Sequence, residues 1–345
     1  MTSQATRINT SRAVLVLGMH RCGTSVLARA LIALGVDFGS SHIAAQPENP
    51  KGFFEDKDVY NLNVSFLQSM DCSWRTIVLP TSYPIEPEKH FINQATTLLK
   101  KKFSTSPLWG LKEPRITRLL QLWDAVISNV TTNRLYLLAN RNPFSVAASL
   151  AERNQMPALQ AFALWAVHQL EGLQAIINNG GLVVDYDLML SQPLTELQRM
   201  AAFLEQGIDL DEKNNFLCEF LNQNLRHSHH IETPHSRAPF INTCLDFHEH
   251  LMKLARSTEP LRKADATEAS EVLNEMRRSI ATHSDWFAAI DELIRQSEEC
   301  RQEHHEKTSR QLKQKDNRIQ KLQSEIEWLE KKWPVRLANK VKKIF

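Results

Sequence analysis

VLVLGMHRCGTS, residues Val14–Ser25, passes from an apolar run through a glycine-bounded loop into a helical pattern. Ala13 to Leu17 is continuously apolar and of strand length, the pattern of a central parallel strand covered on both faces. From Ser25 onward the apolar residues Val26, Leu27, Ala30, Leu31 and Leu34 keep helical spacing, and Gly35 ends the pattern. A strand, a glycine turn and a helix together suit an anion, because backbone N–H groups at a helix N-terminus point at it and the dipole favours it. The frame Gly18-x-x-x-x-Gly23-x-Ser25 fits the phosphate-loop pattern G-x-x-x-x-G-K-[ST] at every fixed position but one. Thr24 stands where that pattern has lysine, so a phosphate-like ligand here must draw its cation from elsewhere. Arg21 and His20, just before Gly23, are the nearest candidates.

Composition limits the alternatives. A chain of 345 residues has room for one large domain and an appendage, or for two modest domains. A net charge of +2 gives bulk nucleic-acid binding no support. The five cysteines are scattered without a C-x-x-C pair, so neither a zinc site nor a disulfide framework is expected. MTSQATRINTSR at the start is polar, without the apolar core of a signal peptide, and no apolar run reaches the length of a membrane span. A reducing cytoplasm is the expected compartment.

Further along, residues 38–56 carry Gly, Pro and Asn punctuation and read as a long ordered loop. Helical patterns follow at Val59–Met70 and Phe91–Lys102. Pro107–Arg115 reads as a short strand ending in a charged turn, and Arg134–Pro143 as a clear strand. Helices are expected at Phe144–Ala151, Ala158–Asn178 and Leu194–Gln206, with a strand at Leu182–Val184. Strands alternating with helices predict an α/β fold with a mostly parallel central sheet flanked by helices. After about residue 257 Lys, Glu, Gln, His and Arg dominate and strand patterns cease. The expected division is an α/β domain over 1–257 and a helical region over 258–345. Leu312, Ile319, Leu322, Ile326, Leu329 and Trp333 form a short a/d seam, which predicts a coiled coil and self-association through residues 312–333. The last twelve residues carry four basic and no acidic side chains among apolar ones, which suits a membrane surface, a partner helix or a solvated terminus.

Arg21-Cys22-Gly23-Thr24-Ser25 resembles the 5'-phosphosulfate loop of the sulfotransferases, which use 3'-phosphoadenosine-5'-phosphosulfate (PAPS). That loop has a basic residue two positions before a glycine followed by two hydroxyl residues. Here Arg replaces the frequent Lys, and Cys the frequent Ser. The resemblance implies that His20, Arg21, Cys22, Gly23, Thr24 and Ser25 bind the donor, with Arg21 on the bridging and sulfuryl oxygens. LYLLANRNPFSVAASL carries the family's second element, an arginine at a strand end and a serine eight residues on. It implies that Arg141 and Ser149 hold the 3'-phosphate, as a planar guanidinium suits, with Pro143 opening the helix. VVDYDLMLSQPLTELQRMAAFL is similar to a structural strand-and-helix segment of the same family, with Asp187 where Glu is frequent. The resemblance covers about residues 13–230 and implies a P-loop-related fold.

NPKGFFED, Asn49–Asp56, is similar to N-P-x-G-[FW]-[FW]-E in bacterial sulfotransferase-like proteins. Several carbohydrate-directed members use a glutamate downstream of the first loop as general base, which makes Glu55 the candidate base; two neighbouring aromatics would withdraw water from its carboxylate. Capping the helix near Asp56 is the structural alternative. Lys112, at a predicted strand end, is a candidate for stabilising the sulfuryl group, or for pairing with Glu113 or facing Arg115. Arg226 and His227 are candidates for the acceptor pocket. His227, His229 and His230 lack metal-ligand spacing, and sulfuryl transfer needs no metal. The resemblance therefore implies transfer from PAPS to a hydroxyl or amine, with a saccharide or glycolipid among the acceptors. Two alternatives stay open: an NTP-dependent kinase with Asp185 on magnesium, and a non-catalytic scaffold acting through the coiled coil.

Overall fold

The computed structural model describes residues 11–44, 52–221 and 238–341. Arg226, His227, His229 and His230 lie outside the described residues, as do Asn49 and Pro50.

Four strands form one parallel sheet: β1 (Arg12–Leu17), β2 (Leu108–Lys112), β3 (Asn133–Asn140) and β4 (Gly181–Asp185), in the order β2-β1-β3-β4. All of β2 and β4 is buried, and all of β1 except Arg12. A parallel sheet with such apolar strands must be covered on both faces. Two groups of helices do this. α1 (Thr24–Ile32) packs on β1 and β2 and touches α9 (Pro193–Leu204), which lies on β4. A second group contacts β1, β3 and β4: α4 (Pro114–Arg118), α7 (Ala158–Asn179) and α11 (Pro239–Arg256). α7 sits very close to β3 because it has Gly172, where an added Cβ would meet Leu138 Cδ1 at 2.4 Å.

Between β1 and β2 run α2 (Lys57–Gln68) and α3 (Ile85–Phe103). α5 (Leu120–Ser128) follows α4 on the way to β3, and α6 (Pro143–Asn154) precedes α7. α8 (Tyr186–Ser191) leaves β4 directly, and α10 (Leu210–Asn214) follows α9. The expected strand after Pro107 is β2, and its charged end, Glu113 to Arg115, leads straight into α4. Pro114 stands at the first helical position, where its missing N–H costs nothing.

The compact unit that holds the sheet runs to Ala288, past residue 257. α12 (Thr267–Thr282) belongs to it: Ala269, Leu273 and Met276 are buried and the helix packs on α7 and α11. Phe287 is 1 % exposed, with its ring 5.1 Å from that of Phe240. Charged residues around a narrow apolar stripe conceal this packing in the sequence. α13 (Ser284–Val341) carries the chain onward, and the second unit, from Ala289, is helical. There Leu312, Ile319, Leu322 and Ile326 are all about half exposed. Among the described residues no helix is long and apolar enough to cross a membrane.

Candidate functional site

The loop from Gly18 to Gly23 leaves the C-terminal end of β1. Gly18 N–H donates to Thr117 Oγ1 of α4 at 2.9 Å, which anchors its start. Arg21 (φ 70°) and Gly23 (φ 87°) both adopt left-handed backbone, and Gly23 is the N-cap of α1. A side chain at 23 is doubly excluded, since an added Cβ would also meet Tyr186 Cδ2 at 2.6 Å. Cys22 departs from expectation. Its N–H donates to Met19 O at 3.1 Å and its thiol, 3.6 Å from Gln169 Nε2, is packed inside. Burial pushes that thiol's pKa up to about 12. Cys22 therefore offers the loop neither a free amide nor a thiolate nucleophile. Thr24 is also buried, at 4 % exposure.

The strand order has a switch at β1, because the chain runs from β1 to β2 on one side and later to β3 on the other. Such a point leaves a crevice at the carboxyl ends of the strands, and the two predicted anion elements meet there. Arg21 Nε donates to Ser149 Oγ of α6 at 2.8 Å. Arg141, directly after β3, donates from Nη1 to the Arg21 carbonyl at 3.0 Å and lies over the Tyr186 ring, 4.4 Å from its centroid. Trp165 Nε1 donates to Arg141 O at 3.1 Å. Burial, then the like charges of Arg153 and Arg141, lowers the Arg21 pKa. Two strand-to-helix turns have thus been brought together, with the Arg141 guanidinium on the loop that carries Arg21.

On the other side of α1 sits Lys112, the last residue of β2. Its Nζ donates to Glu55 Oε1 at 2.6 Å, Phe53 O at 2.9 Å and Ser25 Oγ at 3.2 Å. Its partner is thus Glu55, rather than Glu113 or Arg115. Those two pair with each other, and Glu113 also accepts from Asn63 Nδ2. Burial raises the Glu113 pKa, against the pull of Arg115. The helix-capping role considered for Glu55 belongs to its neighbour: Asp56 Oδ1 accepts from Asp58 N and Val59 N, and its Oδ2 pairs with Lys102 at 2.7 Å.

His20 lies between these halves, with its ring edge-on to Trp74 at 4.7 Å. Burial first, then the positive charges of Arg115 and its other cationic neighbours, holds its pKa well below the usual value. The imidazole is therefore neutral, and among the described residues its Nε2 has no hydrogen-bond partner. Arg153 lies 5.9 Å from the Trp74 ring. Trp74 and Arg153 had no signal in the sequence beyond their residue types, because long-range packing brings them here; Tyr186 lies in the VVDYDLML segment, but its place against Arg141 comes from the sheet. Asp185 is committed elsewhere. Its Oδ1 caps α8 through Asp187 N and Leu188 N, and its Oδ2 accepts from Asn140 at 3.0 Å. Burial raises its pKa to about 6.

No family model and no curated protein matches the chain. Among solved structures, the sulfotransferase domain from the Synechococcus PCC 7002 olefin synthase is similar to it at a TM-score of 0.45 and 16 % identity, over 73 % of this chain and 98 % of that domain.

Proposed function

We propose that the chain is a PAPS-dependent sulfotransferase acting on a hydroxyl or amine, with a saccharide or glycolipid as acceptor. The observation that carries this is the meeting of Arg21, Arg141 and Ser149 from two separate strand-to-helix turns. PAPS has anionic groups on both its 5' and 3' sides, which fits a site with one guanidinium on each turn. Crowding of Arg21 by Arg141 and Arg153 is relieved by an anion, so the cluster is preorganised for one.

The acceptor oxygen or nitrogen forms a bond to sulfur as the bond from sulfur to the bridging oxygen breaks. Its proton passes to Glu55, and 3'-phosphoadenosine-5'-phosphate (PAP) leaves with new charge on its 5'-phosphate. Arg21 and the first-turn N–H groups of α1 meet that charge without rearranging. The hydrogen bonds already made by Asp185 count against its holding magnesium for a kinase. A cytoplasmic enzyme whose basic C-terminus meets the inner membrane face would suit a lipid-linked saccharide.

The test is calorimetric titration with PAP and, separately, with ATP and magnesium. Tight PAP binding, weak ATP binding and a loss of about ten- to hundred-fold in Arg141→Ala are expected for charged hydrogen bonds. Preference for ATP would overturn the proposal.

A further inference from the structure

An ammonium has three N–H donors, and each of those of Lys112 has an oxygen: the Glu55 carboxylate, the Phe53 carbonyl and the Ser25 hydroxyl. Carboxylate, peptide carbonyl and hydroxyl are the hard oxygen ligands that magnesium and calcium take. The acceptors come from two segments, the first turn of α1 and the loop before α2, while the ammonium arrives from β2. The Lys112 side chain is 2 % exposed and that of Glu55 6 %, so a cation is enclosed here with its counter-charge. Phe54, between two of the acceptors, has a φ of 55°, a costly conformation for a bulky residue. That bend lets Phe53 O and Glu55 Oε1 converge on one Nζ.

The loop frame makes the placement specific. In G-x-x-x-x-G-K-[ST] loops the final hydroxyl holds magnesium beside the phosphates. Ser25 is that residue here, and its hydroxyl is what Lys112 takes. We propose that the Lys112 ammonium is a tethered ion in the cation position of this phosphate loop, doing in place of a divalent metal what magnesium does in nucleotide sites. The anion would then be held between Arg21 and Lys112, and a ligand oxygen can reach Nζ only by displacing one of its three acceptors. The nature of the anion rests on the donor proposed above, while the cation position does not.

Removing the side chain should leave a vacant cation site, which gives the test. Lys112→Ala lacks the three carbons and nitrogen that propylammonium restores. PAP affinity would be measured in EDTA, in magnesium, in propylammonium, and in tetramethylammonium as the ionic-strength control. Wild type should vary less than about two-fold across these conditions, and Lys112→Ala should lose about ten-fold in EDTA, as for a charged hydrogen bond. Magnesium or propylammonium should restore most of that loss, and tetramethylammonium none. Affinity equal to wild type in EDTA, or a loss that neither cation restores, would overturn the proposal. Melting without nucleotide separates the two ideas: magnesium or propylammonium should raise the melting temperature of Lys112→Ala and leave wild type unmoved, even if PAP does not bind. Should Lys112→Ala not fold, Lys112→Arg should bind PAP within about three-fold of wild type and Lys112→Gln about ten-fold more weakly. Equal losses in both would count against a cation role.

Discussion

Arg21 Nε and Ser149 Oγ lie 2.8 Å apart although 128 positions separate them in the chain. This contact joins the loop after β1 to the helix after β3. Removing the hydroxyl in Ser149→Ala takes away one hydrogen bond to a charged group, worth about 1.5–3 kcal/mol. PAP affinity should fall at least about ten-fold by calorimetry. Unchanged affinity would show that Ser149 only braces Arg21.

Glu55→Gln keeps an oxygen for Lys112 but cannot accept a proton. Transfer of radiolabelled sulfuryl groups into saccharide and lipid fractions should drop by roughly 10²–10⁴. PAP binding should stay within about three-fold of wild type, since the amide still satisfies the ammonium. Full activity in the variant would remove Glu55 as the base, and absence of turnover in wild type would favour the scaffold alternative.

Gly23→Ala should destabilise the fold by roughly 2–3 kcal/mol in urea unfolding, because it combines left-handed backbone with a clash on Tyr186. Combining it with Tyr186→Ala should cost less than the two changes summed. Strict additivity would mean that the backbone conformation, not the contact, makes glycine necessary.

His168 is 2 % exposed, and burial, reinforced by Arg118, lowers its pKa to about 3. Between its ordinary 6.5 and that value the unfolded chain takes a proton that the native state refuses, so stability falls as pH drops through this window. Asp185 acts oppositely. Its raised pKa means that the native carboxyl takes up a proton first as pH falls through about 6. His168→Gln should therefore lose roughly 3 kcal/mol less than wild type between pH 7 and pH 4 in urea unfolding. An identical pH slope would contradict this.

The seam of α13, whose Leu312, Ile319, Leu322 and Ile326 are about half exposed, should associate with a second copy. The full chain should sediment as an oligomer, and a chain ending at residue 288 as a monomer. Ending it at 257 would remove α12 from the compact unit and confuse dissociation with unfolding. Leu322→Asp should dissociate the full chain by burying a charge in the seam. Monomeric wild type would dispose of the coiled coil. If the basic terminus meets a membrane, deleting residues 333–345 should abolish binding to anionic vesicles.

What the sequence revealed follows from how local each signal is. The β1 loop and α1, and the turn from β3 into α6, are set by neighbours along the chain, and periodicity with glycine or proline punctuation exposed them. Lys112 was recognised at a strand end, but its partners were not, since Ser25 is 87 positions away and meets it only through the sheet order. Glu55 and Asp56 are adjacent carboxylates with equal claims to cap α2, and only the bend at Phe54 assigns them different work. That α12 packs into the sheet-bearing unit stayed hidden, because its stripe of Ala269, Leu273 and Met276 is narrow within a charged segment expected only to be helical. Trp74 and Arg153 join the site by packing that no spacing encodes.

Because the strand order is β2-β1-β3-β4, the groups facing the loop come from strand ends that are adjacent only in the finished sheet. An unfolded or half-assembled chain has no such anion site, so a ligand held there binds the native state alone. Mass action then turns occupancy into stability: ligand at a hundred times its dissociation constant adds about 2.7 kcal/mol. Melting curves can therefore rank nucleotides and sulfated analogues before any reaction is assayed, and a ligand bound there would protect this chain from proteolysis as its concentration rises.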